Sequence, residues 1–202
     1  WANRGVNMWT FEQNTITLAT GQPTYALPDD TVDLLDHVIR TNANVANNQA
    51  DLTITRISMP TYATIPNKLI QARPIQVWIQ RLSGNSNVLV GTVQATTSAT
   101  ATTIPITSLE GVPTAGFIRI GTELIAYNET TPASGATPAY LLNCCRAQEG
   151  TAATLTAGAA ISLVQKNSIT VWPTPNAGTT YQFVYWRMRR IQDAGGGTKT
   201  MD

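Results

Sequence analysis

Between Tyr181 and Ile191 the side chains change faces at every step, and both faces are rich in large apolar and aromatic groups. Tyr181, Phe183, Tyr185, Arg187, Arg189 and Ile191 fall on one face, and Gln182, Val184, Trp186, Met188 and Arg190 on the other. Such a strand needs cover on both sides, which a sandwich or a contact between subunits supplies. Just upstream, Ile169, Val171 and Trp172 are strand formers, while Pro173 and Pro175 end the ladder because neither has an N–H. Asn176-Ala177-Gly178 reads as a turn, so 169–172 and 181–191 are expected as two antiparallel strands joined there. The glycines at 195–197 read as a linker, because no strand leads into a helix with a lysine at phosphate-loop spacing.

The rest of the chain repeats the same language of short strands and tight turns. Asn14 to Ala19 alternates, Thr20-Gly21-Gln22-Pro23 turns, and Tyr25-Ala26-Leu27 leads into Pro28-Asp29-Asp30. Val32 to Arg40 fits a short helix capped by Asp30 or a strand with one slip in its alternation. The strand reading is preferred, paired across the Asn-rich loop 41–49 with a second strand from Asp51 to Ile57. Ser58, with Pro60 in the first turn, opens about two turns of helix that end before Pro66. Pro74 introduces a strand from Ile75 to Leu82. From about 85 to 165 charge almost vanishes and Thr, Ala and Gly dominate. Runs at Thr103–Thr107, Gly116–Glu129 and Tyr140–Val164 read as strands of a small β module. The strands before and after it, 75–82 and 168–172, pair naturally if it is removed, which marks an insertion at a hairpin tip.

The expected fold class is therefore mainly β: an antiparallel, sandwich-like core with one short helix and an inserted small all-β subdomain. The core is divided into 1–84 and 166–202, with the module at 85–165. Composition supports a structural role. Only 12% of residues are charged, about half the usual quarter, and roughly 30 of the 202 are threonine. A net charge of +1 provides no long-range steering toward nucleic acid or an acidic membrane. No apolar run approaches the ~20 residues that a membrane helix requires.

Catalytic chemistry finds little material. His37 is the only histidine, so any imidazole-based acid, base or triad must use it. On a strand its neighbours Asp33 and Asp36 face opposite sides, which argues against a metal cluster there. Asp29-Asp30 fit a turn, and Glu123 and Glu129 flank an apolar strand without forming a specific carboxylate pair. Cys144 and Cys145 are adjacent and have no CxxC spacing, so they are expected as reduced, partly buried thiols. No catalytic residue, metal or cofactor is expected. The candidate interface residues are Trp172, Tyr185, Trp186, Arg187, Arg189 and Arg190, a combination that protein contacts enrich; nucleic-acid stacking is the weaker reading. Trp1, Trp9 and Trp78 suit core or contact better than a sugar platform.

Three stretches in order carry a family resemblance. They are Gly21 with Tyr25-Ala26-Leu27-Pro28; Arg56-Ile57-Ser58 to Tyr62 with Asn67-Lys68 and Arg73-Pro74; and Trp172-Pro173-Thr174-Pro175. Residues 1–84 and 166–197 resemble the head-to-tail adaptor (neck, or tail-tube-like connector) proteins of short-tailed bacteriophages. The resemblance implies a virion protein forming a ring, commonly of twelve copies, between the portal protein and the tail nozzle or tail tube, with DNA passing through its bore. It also implies helices before and after the β region, and this chain starts and stops where they would meet it. The stretch IRIGTELIAYNE followed by CCRAQEGTAATLTAGAAISLV resembles small β domains of phage tail and baseplate proteins and implies a place for tail fibres. The alternative is a carbohydrate-binding or adhesive β module.

Overall fold

The structure is a computed structural model, and it describes residues 10–82 and 88–190. The fold is mainly β and sandwich-like, as the patterning implies. In chain order the first half holds β1 (Phe11–Leu18), β2 (Thr24–Ala26), β3 (Thr31–Thr41), β4 (Ala50–Thr53), β5 (Thr55–Ile57), α1 (Met59–Ala63), β6 (Gln71–Ala72) and β7 (Gln76–Gln80). Then come β8 (Val88–Thr92), β9 (Ile104–Ile106), β10 (Gly116–Ile120), β11 (Glu123–Tyr127), β12 (Glu129–Thr131), β13 (Ala139–Leu142), β14 (Cys145–Glu149) and β15 (Ala160–Val164). The last are β16 (Ser168–Trp172), β17 (Thr174–Pro175) and β18 (Tyr181–Arg189). Two compact units emerge: unit 1 comprises 1–23, 27–81 and 170–202, and unit 2 comprises 24–26 and 82–169.

In unit 1 the first sheet has the order β1-β18-β3-β4, antiparallel throughout. A second sheet places β7 between β16 and β5. The expected hairpin of 169–172 with 181–191 is not formed, because β16 and β18 belong to different sheets. Thr174 and Pro175 lead the chain out along β6 in a short parallel ladder, and β18 then enters between β1 and β3. Proline's missing N–H is the reason, since the ladder cannot continue through Pro173 and Pro175 and the chain must change partners. The adjacency of 75–82 and 168–172 is present, with Ile75 N donating to Trp172 O at 3.0 Å.

Residues Thr31 to Thr41 form a strand, and its irregularity has a cause. The register against β18 shifts twice, so that Val32 and Leu35 have no partner across the ladder. Each bulge inserts a residue, which puts the buried Thr31, Leu34 and Ile39 at spacings of three and five, a pattern that imitates a helix. The expected single strand Asp51–Ile57 is two. β4 pairs with β3, Ile54 is buried at a corner, and β5 joins the second sheet beside β7 in parallel. Ser58 caps α1 as expected, its Oγ accepting from Thr61 N at 3.4 Å, although the helix spans only five residues.

Alternation along β18 sends Tyr181, Phe183, Tyr185 and Arg187 into the interior, and Val184 is also fully buried. The other even-numbered positions, Gln182, Trp186 and Met188, are half-buried.

Unit 2 has a five-stranded sheet, β14-β11-β10-β15-β8, and a three-stranded sheet, β12-β13-β9. Its main core gathers Val93, Ile104, Ile106, Ile118, Ile125, Leu141 and Ile161, with Tyr127 fully buried among them. A smaller cluster joins Phe117, Leu124, Ala126 and Cys145. Segment β2 lies with this unit: Thr24 Oγ1 donates to Asn128 Oδ1 at 2.8 Å, and Ala26 N to Gln148 Oε1 at 3.0 Å.

Candidate interaction surface

Arg187 was expected at a contact between subunits. It is instead buried at 5% exposure, because alternation points it inward and two acids meet it there. Glu12 is its cross-strand partner on β1 and accepts from Arg187 Nη2 at 2.6 Å and from Nε at 3.1 Å. Arg187 Nη1 donates to Asp30 Oδ1 and, at 2.9 Å, to Thr31 Oγ1. Burial alone would pull the guanidinium pKa down, but the carboxylates of Asp30 and Glu12 raise it on balance. Tyr185, also expected at a contact, is 2% exposed, and burial pushes its hydroxyl pKa up to about 12. Both residues belong to the subunit's own interior. Sequence reasoning missed Glu12 and Asp30 as the partners that allow this. The signal was present in one respect, since an arginine in phase with Tyr181, Phe183 and Tyr185 must share their side of the strand.

The remaining candidates lie nearer the surface but not together. Trp186 and Arg189 are half-buried on β18, and Arg190 is exposed, its backbone N donating to Asp30 O at 2.8 Å. Trp172 sits in the second sheet, where its Nε1 donates to Asn67 O at 3.0 Å. On the neighbouring strand β7, Trp78 stacks on Tyr62 of α1 with ring centroids 5.2 Å apart, and Lys68 Nζ lies 5.4 Å from the Tyr62 centroid.

What the first sheet does offer is an apolar outer face. Across the ladder Phe11 stands opposite Met188 and Gln13 opposite Trp186, whereas Val184, opposite Thr15, is fully buried and interrupts this face. Phe11 is 41% exposed, and the bulged residues Val32 and Leu35 add further exposed apolar surface at 43% and 49%.

The lone histidine is partly buried. His37 faces inward, its ring tilted against Phe183 with centroids 5.7 Å apart. Its Nδ1 is buried without a hydrogen-bond partner. Burial lowers its pKa, with Arg56 acting in the same direction and Asp36 against it. The bulge at Leu35 also corrects the expected placement of the acids: Asp33 and Asp36 stand opposite Met188 and Trp186, which share a face. Asp33 nevertheless pairs with Arg56 at 3.3 Å and Arg81 at 3.0 Å, and Asp36 Oδ1 accepts from His37 N at 2.8 Å. Among the described residues no group of three His, Cys, Asp or Glu could hold a metal ion.

In unit 2 the polar groups are also tied inward. Glu123 is 3% exposed and takes a two-pronged contact from Arg146, Nε to Oε1 and Nη2 to Oε2, each at 2.7 Å. Arg146 reaches on to Ser98 O at 2.7 Å and Ala153 O at 2.6 Å, while Ala147 N donates to Glu123 Oε1 at 3.0 Å. Burial raises the Glu123 pKa, but the Arg146 fork and the two amides outweigh it and hold the carboxyl below its ordinary value. Glu149 is balanced in the same way by Lys166 and Arg119. Cys144 and Cys145 are free and buried, with burial pushing their pKa values to about 12 and about 11, which leaves both as inert thiols.

No protein-family model, curated protein or solved structure matches the chain.

Proposed function

We propose that this chain is a structural subunit that acts by packing against copies of itself, as a head-to-tail adaptor between the portal and the tail of a short-tailed phage. The ring it forms passes viral DNA through its bore without reading sequence. The observation that carries the self-packing is the outer face of the first sheet, where Phe11, Val32 and Leu35 lie exposed beside half-buried Trp186 and Met188. Exposed apolar area of this kind is what a subunit contact covers. The acids Glu12, Asp30, Asp33, Glu123 and Glu149 are each paired with an arginine or a lysine of the same chain. The adaptor assignment itself rests on the sequence resemblance of 1–84 and 166–197. On this reading unit 2 is an attachment point for a peripheral tail partner such as a fibre.

Negative-stain electron microscopy of the purified protein tests the proposal. Closed rings are expected, and they should persist when 85–165 is replaced by a short linker. Single particles that bind a glycan array would instead favour the adhesive alternative.

A further inference from the structure

Several edge strands of this fold carry an interruption that β1 of the first sheet lacks. β9 contains Pro105, which cannot donate to a ladder. β8 skips Val90 in its pairing with β15, and β14 turns left-handed at Ala147, φ +51°. Such devices keep edges from pairing with strangers. β1 has none of them. It is eight residues long, holds no proline or lysine, and keeps an unbroken register with β18 from Phe11–Met188 to Leu18–Tyr181. At the opposite end, β4 is four residues long and largely exposed.

Charge does not guard these edges either. The single charged residue on β1 is Glu12, and Arg187 of the adjacent strand already neutralises it. The single charged residue on β4 is Asp51, which Arg40 of the adjacent strand holds through two bonds of 2.8 Å. Both acids are thus satisfied within their own sheet, and neither edge presents an uncompensated charge to a neighbour.

Strand direction makes the two ends complementary. Four antiparallel strands in the order β1-β18-β3-β4 run alternately up and down, so β1 and β4 point in opposite senses. A copy related by rotation about an axis along the strands keeps those senses. Its β1 therefore arrives antiparallel to the β4 it meets, and the alternation continues without a fault. An odd number of strands would have produced a parallel junction. The contact is heterologous, one edge against a different edge, and this is the kind that closes rings.

We propose that β4 of one copy adds to β1 of the next, joining the first sheets of neighbouring copies into one antiparallel sheet that runs around the ring. The partner is a second copy of this chain, and main-chain hydrogen bonds supply the recognition. This inference rests on the ring reading above and names the surface that builds it.

Cysteine pairs test it in the full chain. Gln13→Cys, Thr15→Cys or Thr17→Cys is combined with Thr53→Cys, all at exposed positions, while light scattering follows the ring. Native Cys144 and Cys145 are buried and stay silent. Mild oxidation of at least one double variant should yield a ladder of covalently linked chains, with no linkage in any single variant. A ring that forms but links in no double variant overturns the inference and leaves the ring reading standing. Linkage of a β1 single variant to itself means a two-fold contact and overturns it too. A protein that is monomeric before any substitution overturns both. As a second measurement, Thr15→Lys with Thr17→Lys puts charge on the outer edge strand of the sheet. The particle should fall to the 21.7 kDa subunit with an unchanged subunit melting temperature, and a ring that survives both lysines counts against the junction.

Discussion

Replacing Arg146 with methionine probes how far unit 2 depends on one buried fork. Arg146→Met keeps an aliphatic stem but removes both bonds to Glu123 and those to Ser98 O and Ala153 O. Glu123, 3% exposed, is left with the amides of Ala147 at 3.0 Å and Ala153 at 3.4 Å. Removing one member of a buried pair generally costs ~3–5 kcal/mol, because the survivor is an uncompensated charge. The two remaining amides keep the cost near the lower end, ~3 kcal/mol at neutral pH. At about 4 °C per kcal/mol, the smaller of the usual values for a unit of this size, the melting temperature should fall by ~12 °C. Hydrogen exchange read by mass spectrometry is the assay, since all five tryptophans lie outside 82–169 and their fluorescence reports the other unit. Peptides over β11 and β14 should lose protection while those over β18 keep theirs. Glu123→Gln added to Arg146→Met removes the stranded charge, so the double variant should be more stable than the single one. Unchanged protection over Glu123–Tyr127, or a double variant no better than the single, would refute the reasoning.

Three other outcomes follow from the same physics. His37 has a folded pKa below its ordinary 6.5, so its contribution is complete above that value and declines as pH falls from about 6.5 toward the folded pKa. Glu123 and Glu149 are held below their ordinary 4.5, so theirs persist until pH drops below about 4.5. Exchange protection in β3 and β18 should therefore weaken before that in β11 and β14 on acidification, and His37→Phe should remove the earlier loss. Ala147→Gly should stabilise by ~1 kcal/mol in urea denaturation, since Ala147 sits at φ +51° where a Cβ is strained. Gly150→Ala should destabilise by ~2 kcal/mol or more in the same measurement, because φ is +76° and a Cβ there would lie 2.8 Å from the backbone oxygen of Thr122.

Local pattern carried much of the fold. Alternation placed Tyr181, Phe183, Tyr185 and Arg187 inward, and Ser58 with Pro60 located α1. Partner choice was a different matter. β18 pairs with β1, whose residues stand more than 160 positions earlier, and nothing near Asn176 marks that distant strand over the nearer 169–172. The two bulges in β3 blurred its period, because an inserted residue at Val32 and another at Leu35 turn a two-residue rhythm into a three-residue one. Ile54 looked like the middle of a strand because a corner between sheets must be buried just as a strand centre is.

The candidate surface was legible only in part. Aromatic and arginine residues on one strand suggested a contact, but their phase already divided them. Tyr181, Phe183, Tyr185 and Arg187 went to the core, where Glu12 and Asp30 receive Arg187, while of the even positions Val184 is buried and Gln182, Trp186 and Met188 are half-buried. The fork of Arg146 on Glu123 was invisible in sequence, since the two residues are 23 apart on strands whose pairing depends on the bulge in β14.

Molar mass by light scattering, measured at neutral pH across a dilution series, addresses the assembly most directly. A stable multiple of the subunit mass, 21.7 kDa for the full chain, is the expected result, with a single stoichiometry that is unchanged when residues 85–165 are removed. A mass that stays at one subunit at every concentration would contradict the account.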